Sequence, residues 1–165
     1  MKMDIYRPLI DSAFVTFSEL AYGNVKLKLK EQQTAAMRDD QTLAYLFDVL
    51  VEGAVVGGGI HLRLGWTIPY YYAGQIGYWI DEPFRGRGLA ADACLALLPL
   101  IQAHGYQKLV IGTDESNLAS RRVCEKLGAV LLETADTPEW IGLYEEGQRR
   151  TSVYEWTIDK TERVG

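Results

Sequence analysis

Apolar and polar residues alternate through the middle of this chain and then give way to a helical spacing. Thr42 to Val51 reads as a strand, Glu52-Gly53-Ala54 as a turn, and Val55 to Leu64 as the returning strand. Successive side chains of a strand point to opposite faces, so a run of this kind buries one face of a sheet. Gly57-Gly58-Gly59 inside the second run predicts a bulge or a close backbone approach. Gly65 to Pro69 reads as a loop and Tyr72 to Ile80 as the next strand. Strands joined by short turns predict antiparallel pairing.

The first forty residues are less regular. Met3 to Arg7 reads as a short strand stopped by Pro8. Asp11 or Ser12 is placed to cap a helix running to about Tyr22, with Phe14, Phe17 and Leu20 as core contacts. Gly23-Asn24 breaks it. Val25 to Met37 carries two signals: Val25, Leu27 and Leu29 alternate with lysines as in an edge strand, while Glu31 to Met37 suits a helix. Helix is the reading adopted for the whole segment.

From Leu89 the spacing becomes helical. Leu89, Ala93, Leu97 and Leu100 form one face of a helix running to about His104, closed by Gly105. Pro99 lies inside it, and proline in a helix interior costs about 3 kcal/mol. A kink there, or an end near Leu98, is therefore expected. Lys108 to Thr113 is a strand. Leu118 to Leu127 is a helix burying Ala119, Val123 and Leu127 and ended by Gly128. Val130 to Glu133 and Ser152 to Ile158 are strands, with Ala135 to Arg150 as the loop between them. Strands followed by helix, strand, helix and a closing hairpin predict an α/β (α+β) fold.

Chemistry concentrates at Phe84-Arg85-Gly86-Arg87-Gly88-Leu89-Ala90, between the strand ending at Ile80 and the helix beginning at Leu89. A helix start presents unpaired N–H groups and the positive end of the helix dipole, which together bind phosphate. Gly86 and Gly88 let the backbone approach an anion, and Arg85 and Arg87 add charge. Gly86-x-Gly88-x-x-Ala91 also fits a dinucleotide fingerprint, but that motif belongs in the first strand–helix turn of a βαβ unit. Here several strands precede it with no helix between them. The acidic residue expected about 20 positions later is also missing, the region holding Tyr106-Gln107.

A second segment, Asn117-Leu118-Ala119-Ser120-Arg121-Arg122-Val123-Cys124-Glu125-Lys126-Leu127-Gly128-Ala129, follows the next strand. The two together resemble the GNAT superfamily of acyl-CoA-dependent N-acyltransferases. The pyrophosphate loop of that family is matched by Arg85, Gly88 and Ala90. Its later helix is matched by Asn117, Ser120, Glu125, Lys126 and Gly128, with Ala129 where an aromatic is usual. Ile76-Gly77-Tyr78-Trp79-Ile80 and the Asn-x-x-Ser helix look most like the branch containing ribosomal-protein N-acetyltransferases.

The resemblance implies a single domain over residues 1–165 with a central, mixed, mostly antiparallel sheet. Six or seven strands and about four helices are expected, with a splay between the fourth and fifth strands. It implies acetyl transfer from acetyl-CoA to a primary amine of a small molecule or a peptide N-terminus by direct attack on the thioester. The diphosphate would lie on Arg85, Gly86, Arg87, Gly88, Leu89 and Ala90, the pantetheine arm along Trp79 and Ile80, and Asn117 would contact the cofactor. An oxyanion donor would come from backbone near Tyr78 to Ile80. For the leaving thiolate the candidates are Ser120, which is preferred, and Cys124, which stands where many relatives carry a tyrosine. Many relatives carry a glutamate where this chain has Gln75, which cannot act as a base. Asp114, Glu115 and Glu19 are the substitute carboxylates. A non-catalytic acyl-CoA-binding module is the alternative reading.

Bulk composition narrows the partners. The formal charge of the 165 residues is −5 and no basic run exceeds a pair, which argues against extended nucleic-acid binding. No run approaches a membrane span and no N-terminal leader is visible, so a membrane role is not expected. Cys94 and Cys124 fit no zinc spacing; no metal is expected, and a reducing, cytoplasmic setting is the simplest reading. Trp66, Tyr70, Tyr71, Tyr72, Trp140 and Tyr144 are candidate walls for the acceptor, and His61 reads as a strand surface residue. A homodimer fits the family.

Overall fold

The computed structural model describes residues 3–158. Its strands are β1 (Leu20–Tyr22), β2 (Val25–Gln33), β3 (Ala44–Val51), β4 (Val55–Arg63), β5 (Ile76–Ile80), β6 (Lys108–Asp114), β7 (Val130–Asp136) and β8 (Arg150–Thr157). The helices are α1 (Ile68–Ala73), α2 (Leu89–Ala103), α3 (Leu118–Lys126) and α4 (Gly142–Glu145). β1 to β5 form one antiparallel sheet in sequence order, and β6, β8 and β7 form a second, with β8 central. The α/β architecture and the splay between the strands at Ile76–Ile80 and Lys108–Asp114 are as the resemblance implied. The eight strands exceed the expected six or seven.

One core unites the sheets with α2. Tyr45, Phe47, Ile60, Leu62 and Ile76 from the first sheet meet Ala93, Leu97, Leu100 and Ile101 of α2, all but inaccessible to water. Leu109 and Ile111 of β6 and Tyr154 and Trp156 of β8 extend that core into the second sheet. The helix runs unbroken past Pro99 to Ala103, so the expected end near Leu98 does not occur. Pro99 lies on the exposed side of α2, and the apolar face opposite it keeps the last turn docked.

Four assignments differ from the sequence reading. Val25 to Gln33 is strand, not helix: Val25 and Leu27 are buried while Lys26 and Lys28 are exposed, so the lysine alternation was the true signal. A register shift between Leu29 and Glu31 breaks the alternation there, which is why the second half looked helical. Residues 11–19 are irregular rather than helical. Phe14 and Phe17 do reach the core, edge-on to Tyr45, and the Val15 N–H donates to the Tyr45 hydroxyl at 2.8 Å. Met3–Tyr6 is a 3-10 turn instead of a strand. The strand proposed from Tyr72 is α1 up to Ala73, started by the Thr67 side chain accepting from the Tyr70 N–H and closed at Gly74. In addition, Ala135 to Arg150 contains α4, and β7 continues to Asp136.

The Gly57-Gly58-Gly59 run meets both of its expectations. Val49 pairs with Gly58 and Leu50 with Val56, leaving Gly57 as a bulge. A Cβ on Gly59 would lie 2.3 Å from the Trp79 indole, which lies across that glycine.

Candidate active site

The two sheets are joined at one end of the seam and open at the other. At the joined end the Gln75 N–H donates to the Val110 carbonyl at 2.8 Å, and the Val110 N–H donates to Gln75 Oε1 at 3.0 Å. Gln75 Nε2 donates to the Tyr6 carbonyl at 2.6 Å and to the Gly65 carbonyl at 2.9 Å. The side chain is fully buried, with both amide protons donated and Oε1 accepting. Gln75 is therefore a clamp across the seam. Beyond it, β5 and β6 belong to separate sheets.

The open end is a cavity of about 570 Å³. One wall is the end of β5, Tyr78 to Ile80, continuing through Phe84 into the glycine-rich loop and the first turn of α2. The other wall is α3, from Asn117 to Lys126. Gly88 is the N-cap of α2, with φ +72°, a left-handed conformation that favours glycine. No side chain caps this helix. The first N–H groups of a helix lack intrahelical acceptors, so Gly88, Leu89 and Ala90 offer donors to the cavity. A Cβ on Gly88 would meet only Lys126 Nζ, at 2.8 Å. Arg122 and Lys126 of α3 thus bring positive charge to the glycine loop from across the cleft. The sequence reading did not single out these two cations for the cofactor, because their approach depends on how α3 docks.

Among the loop arginines, Arg85 lines the cavity and its Nε donates to the Ile80 carbonyl at 2.8 Å. Arg87 turns away, pairing with Glu52 at 3.4 Å and lying over the Phe84 ring at 5.9 Å. Asn117 is the N-cap of α3, accepting from the Ser120 N–H at 3.1 Å.

Deep in the cavity the Tyr78 hydroxyl lies 2.8 Å from Ser120 Oγ and also meets the Cys124 thiol. Burial, with the Cys124 thiol beside it, raises the Tyr78 phenol well above its ordinary value. Cys124 itself is inaccessible to water, and burial pushes its thiol up to about 12. Cys124 is not among the residues that line the cavity. Ser120 is the half-buried member of the trio and lines the cavity. The sequence reading considered only the backbone near Tyr78. The side chain could have been found there, since strand alternation sends Tyr78 to the face opposite Gly77 and Trp79.

The substitute carboxylates are otherwise engaged. Glu19 pairs with Lys26 at 2.6 Å, Glu115 pairs with Arg150 at 2.8 Å, and Asp114 Oδ1 accepts from the Ser116 N–H at 2.9 Å. None lines the cavity. The proposed aromatic walls also lie elsewhere. Tyr70 and Tyr71 are buried in α1, Trp66 packs on Tyr6 at 4.8 Å, and Tyr144 carries Arg149 over its ring. The aromatic residues of the cavity are Tyr78, Trp79 and Phe84. Trp79 is 48% exposed and its ring meets His61 edge-on at 5.1 Å. Burial and the nearby Arg63, Arg38 and Lys30 lower the His61 imidazolium to about 4. His61 is half-buried, not a simple surface residue.

Residues 11–130 match the sequence profile of the acetyltransferase (GNAT) domain. No curated protein sequence matches the chain. Several solved structures share its fold. A ribosomal L7/L12 alpha-N-protein acetyltransferase, RimL, in complex with coenzyme A is 22% identical, with a TM-score of 0.55 over 70% of this chain and 63% of that one. The microcin C7 self-immunity acetyltransferase MccE, in complex with acetyl-CoA and AMP, is 18% identical, with a TM-score of 0.54 over 70% of this chain and 61% of that one. The chain thus spans less than two thirds of the length of those two proteins. The ribosomal-protein-S5-alanine acetyltransferase of Vibrio fischeri is 14% identical, with a TM-score of 0.63 over 87% of this chain and 98% of that one. No helix among the described residues is long and apolar enough to cross a membrane.

Proposed function

Because the chain belongs to the GNAT family of acetyl-CoA-dependent N-acetyltransferases, we propose that it moves an acetyl group from acetyl-CoA to a primary amine of a small molecule or a peptide N-terminus. The observation that carries this reading is the cavity at the open seam, with an uncapped helix start and the Tyr78–Ser120 pair on opposite walls. The cradle fits a diphosphate: donors from Gly88 to Ala90, the Arg85, Arg122 and Lys126 cations, and no side chain at Gly86 or Gly88. The pantetheine arm would run along Trp79 and Ile80, whose outer edge is left without a partner strand by the splay. Arg87 contributes only to the field, since Glu52 holds it.

Acetyl-CoA supplies an activated thioester. The amine nitrogen forms a bond to the carbonyl carbon, and the C–S bond breaks. One amine proton leaves with the thiolate as free CoA thiol. Backbone N–H near Tyr78 to Ile80 would hold the developing oxyanion, a type of contact worth about 3 kcal/mol in comparable sites. Ser120 would donate to the sulfur or relay the proton to it. Tyr78 is a positioning residue: it remains a phenol, and its 2.8 Å bond fixes the Ser120 rotamer. Cys124 packs behind the pair without lining the cavity, which favours Ser120 over it.

A thiol-release screen with polyamines, aminoglycosides, amino acids and short peptides tests the reading. Release dependent on one acceptor class supports it. Acetyl-CoA binding with no release for any class would leave a binding module instead.

A further inference from the structure

Arg63 belongs to β4, and its guanidinium lies over Gly77 of β5. A Cβ on Gly77 would sit 2.8 Å from Arg63 Nη2. Gly77 precedes Tyr78, and its register partner on β4 is His61. Arg63 is half-buried, and among the described residues its guanidinium makes one hydrogen bond, from Nη1 to the Gly74 carbonyl at 2.9 Å, and has no carboxylate within ion-pair distance. Burying a guanidinium without a counter-charge is costly, so a site of this kind is suited to an anion that arrives with a ligand.

Arg63 has no ion pair of its own among the described residues, although the Asp40 carboxylate acts on it from beyond contact. Arg38 is neutralised locally: Nη2 lies 3.4 Å from Asp40 and 3.1 Å from the Tyr70 hydroxyl, and Nη1 donates to Gln33 at 2.8 Å. Tyr70 donates to Asp40 at 2.6 Å, which with the other bonds to that carboxylate lowers it to about 2. Glu31 accepts from Gln33, and Lys30 of the same strand adds a further positive charge. His61, between Arg63 and the Trp79 ring, stays uncharged at neutral pH. Trp79 lines the cavity on one side and touches His61 on the other, so this positive patch adjoins the end of β5 where the thioester would lie.

Building on the acetyl-transfer reading, we propose that the acceptor is an amine carrying its own anionic group, such as the carboxylate of a free amino acid, and that Arg63 binds that anion. The arrangement also answers the absence of a carboxylate base, since Gln75 is a clamp. Pairing with Arg63 would offset the stabilisation that the acceptor's own anion gives its ammonium form, which makes the free amine easier to reach.

The test compares matched acceptors in the thiol-release assay: an amino acid against its amide, and phosphoethanolamine against ethanolamine. The anionic member of at least one pair is expected to have at least tenfold higher kcat/KM. In Arg63→Met that preference falls to within about twofold, and Arg63→Lys retains part of it. Thermal melts of both variants check folding, and Arg63→Lys carries the test if Arg63→Met does not fold. Equal or better turnover of every neutral member overturns the inference while leaving acetyl transfer intact. So does a folded Arg63→Met protein that keeps the preference. Acetyl-CoA binding with no turnover of any member also overturns the inference, and acetyl transfer then stands or falls with the other acceptor classes of the screen. Failure to bind acetyl-CoA in a parallel titration would instead remove the reading on which the inference rests.

Discussion

Gly88→Glu separates the proposed cradle from a merely structural turn. The substitution has two costs that can be measured apart. Gly88 has φ +72°, and a residue with a Cβ loses about 1–2 kcal/mol there. Its Cβ would meet only the mobile end of Lys126, so the steric cost is small and the protein should fold. The second cost falls on the ligand. A carboxylate about 6 Å from the diphosphate repels each negative charge by about 3 kcal/mol at an effective dielectric of 20. It would also attract Lys126, removing a cation from the cradle. Screening reduces these figures, and an affinity loss of at least 100-fold is expected. The assay is a tryptophan-fluorescence titration with acetyl-CoA, because Trp79 lines the cavity and is half exposed. Gly147→Glu is the control, since that glycine also has positive φ (+104°) and lies outside the cavity. A folded Gly88→Glu protein that binds acetyl-CoA within threefold of the parent would refute the cradle.

Three further outcomes are expected. Ser120→Ala should lower kcat at least tenfold with little change in acetyl-CoA affinity, whereas Tyr78→Phe, which removes one hydrogen bond of about 1 kcal/mol, should lower it roughly fivefold; steady-state kinetics with unchanged kcat in both would take the pair out of the mechanism. Gln75→Glu should not raise turnover, because a carboxylate there faces the Tyr6 and Gly65 carbonyls; it should destabilise the fold by about 3 kcal/mol in urea titration, with the loss growing as pH rises from the free carboxyl value of about 4.3 and levelling off above the raised folded value, and a faster or equally stable variant would contradict the clamp. His61, neutral in the fold down to about 4, should make stability fall as pH drops from 6.5 towards 4, since the unfolded chain takes up the proton first; urea titrations of a His61→Gln variant should show a shallower decline.

The second half of the chain was legible because its signals are local. α2 and β6 follow from apolar spacing, and Asn117 is the N-cap its position suggested. In α3 the expected face is shifted: Val123 and Leu127 pack only partly against the core, Ala119 is exposed and Cys124 is the buried residue. The glycine loop was readable for the same reason, as a strand, two glycines and a helix start occur in sequence. The first half depends on tertiary context. Phe14 and Phe17 are helically spaced, yet the segment docks irregularly on Tyr45. The bulge after Leu29 hid the alternation of β2. Arg122, Lys126, Tyr78 and Arg63 owe their positions to the docking of α3 and the pairing of β4 with β5, which no local pattern encodes. In the sequence Gln75 is only an absence of charge, and the packed seam gives it a role.

Calorimetric titration of the purified protein with acetyl-CoA, then CoA, then NAD tests the central claim most directly. Saturable binding of acetyl-CoA and CoA, with none for NAD, is the predicted result. A folded protein that binds neither CoA compound would mean that the loop from Arg85 to Ala90 is only a turn, and the acetyl-transfer account would fall.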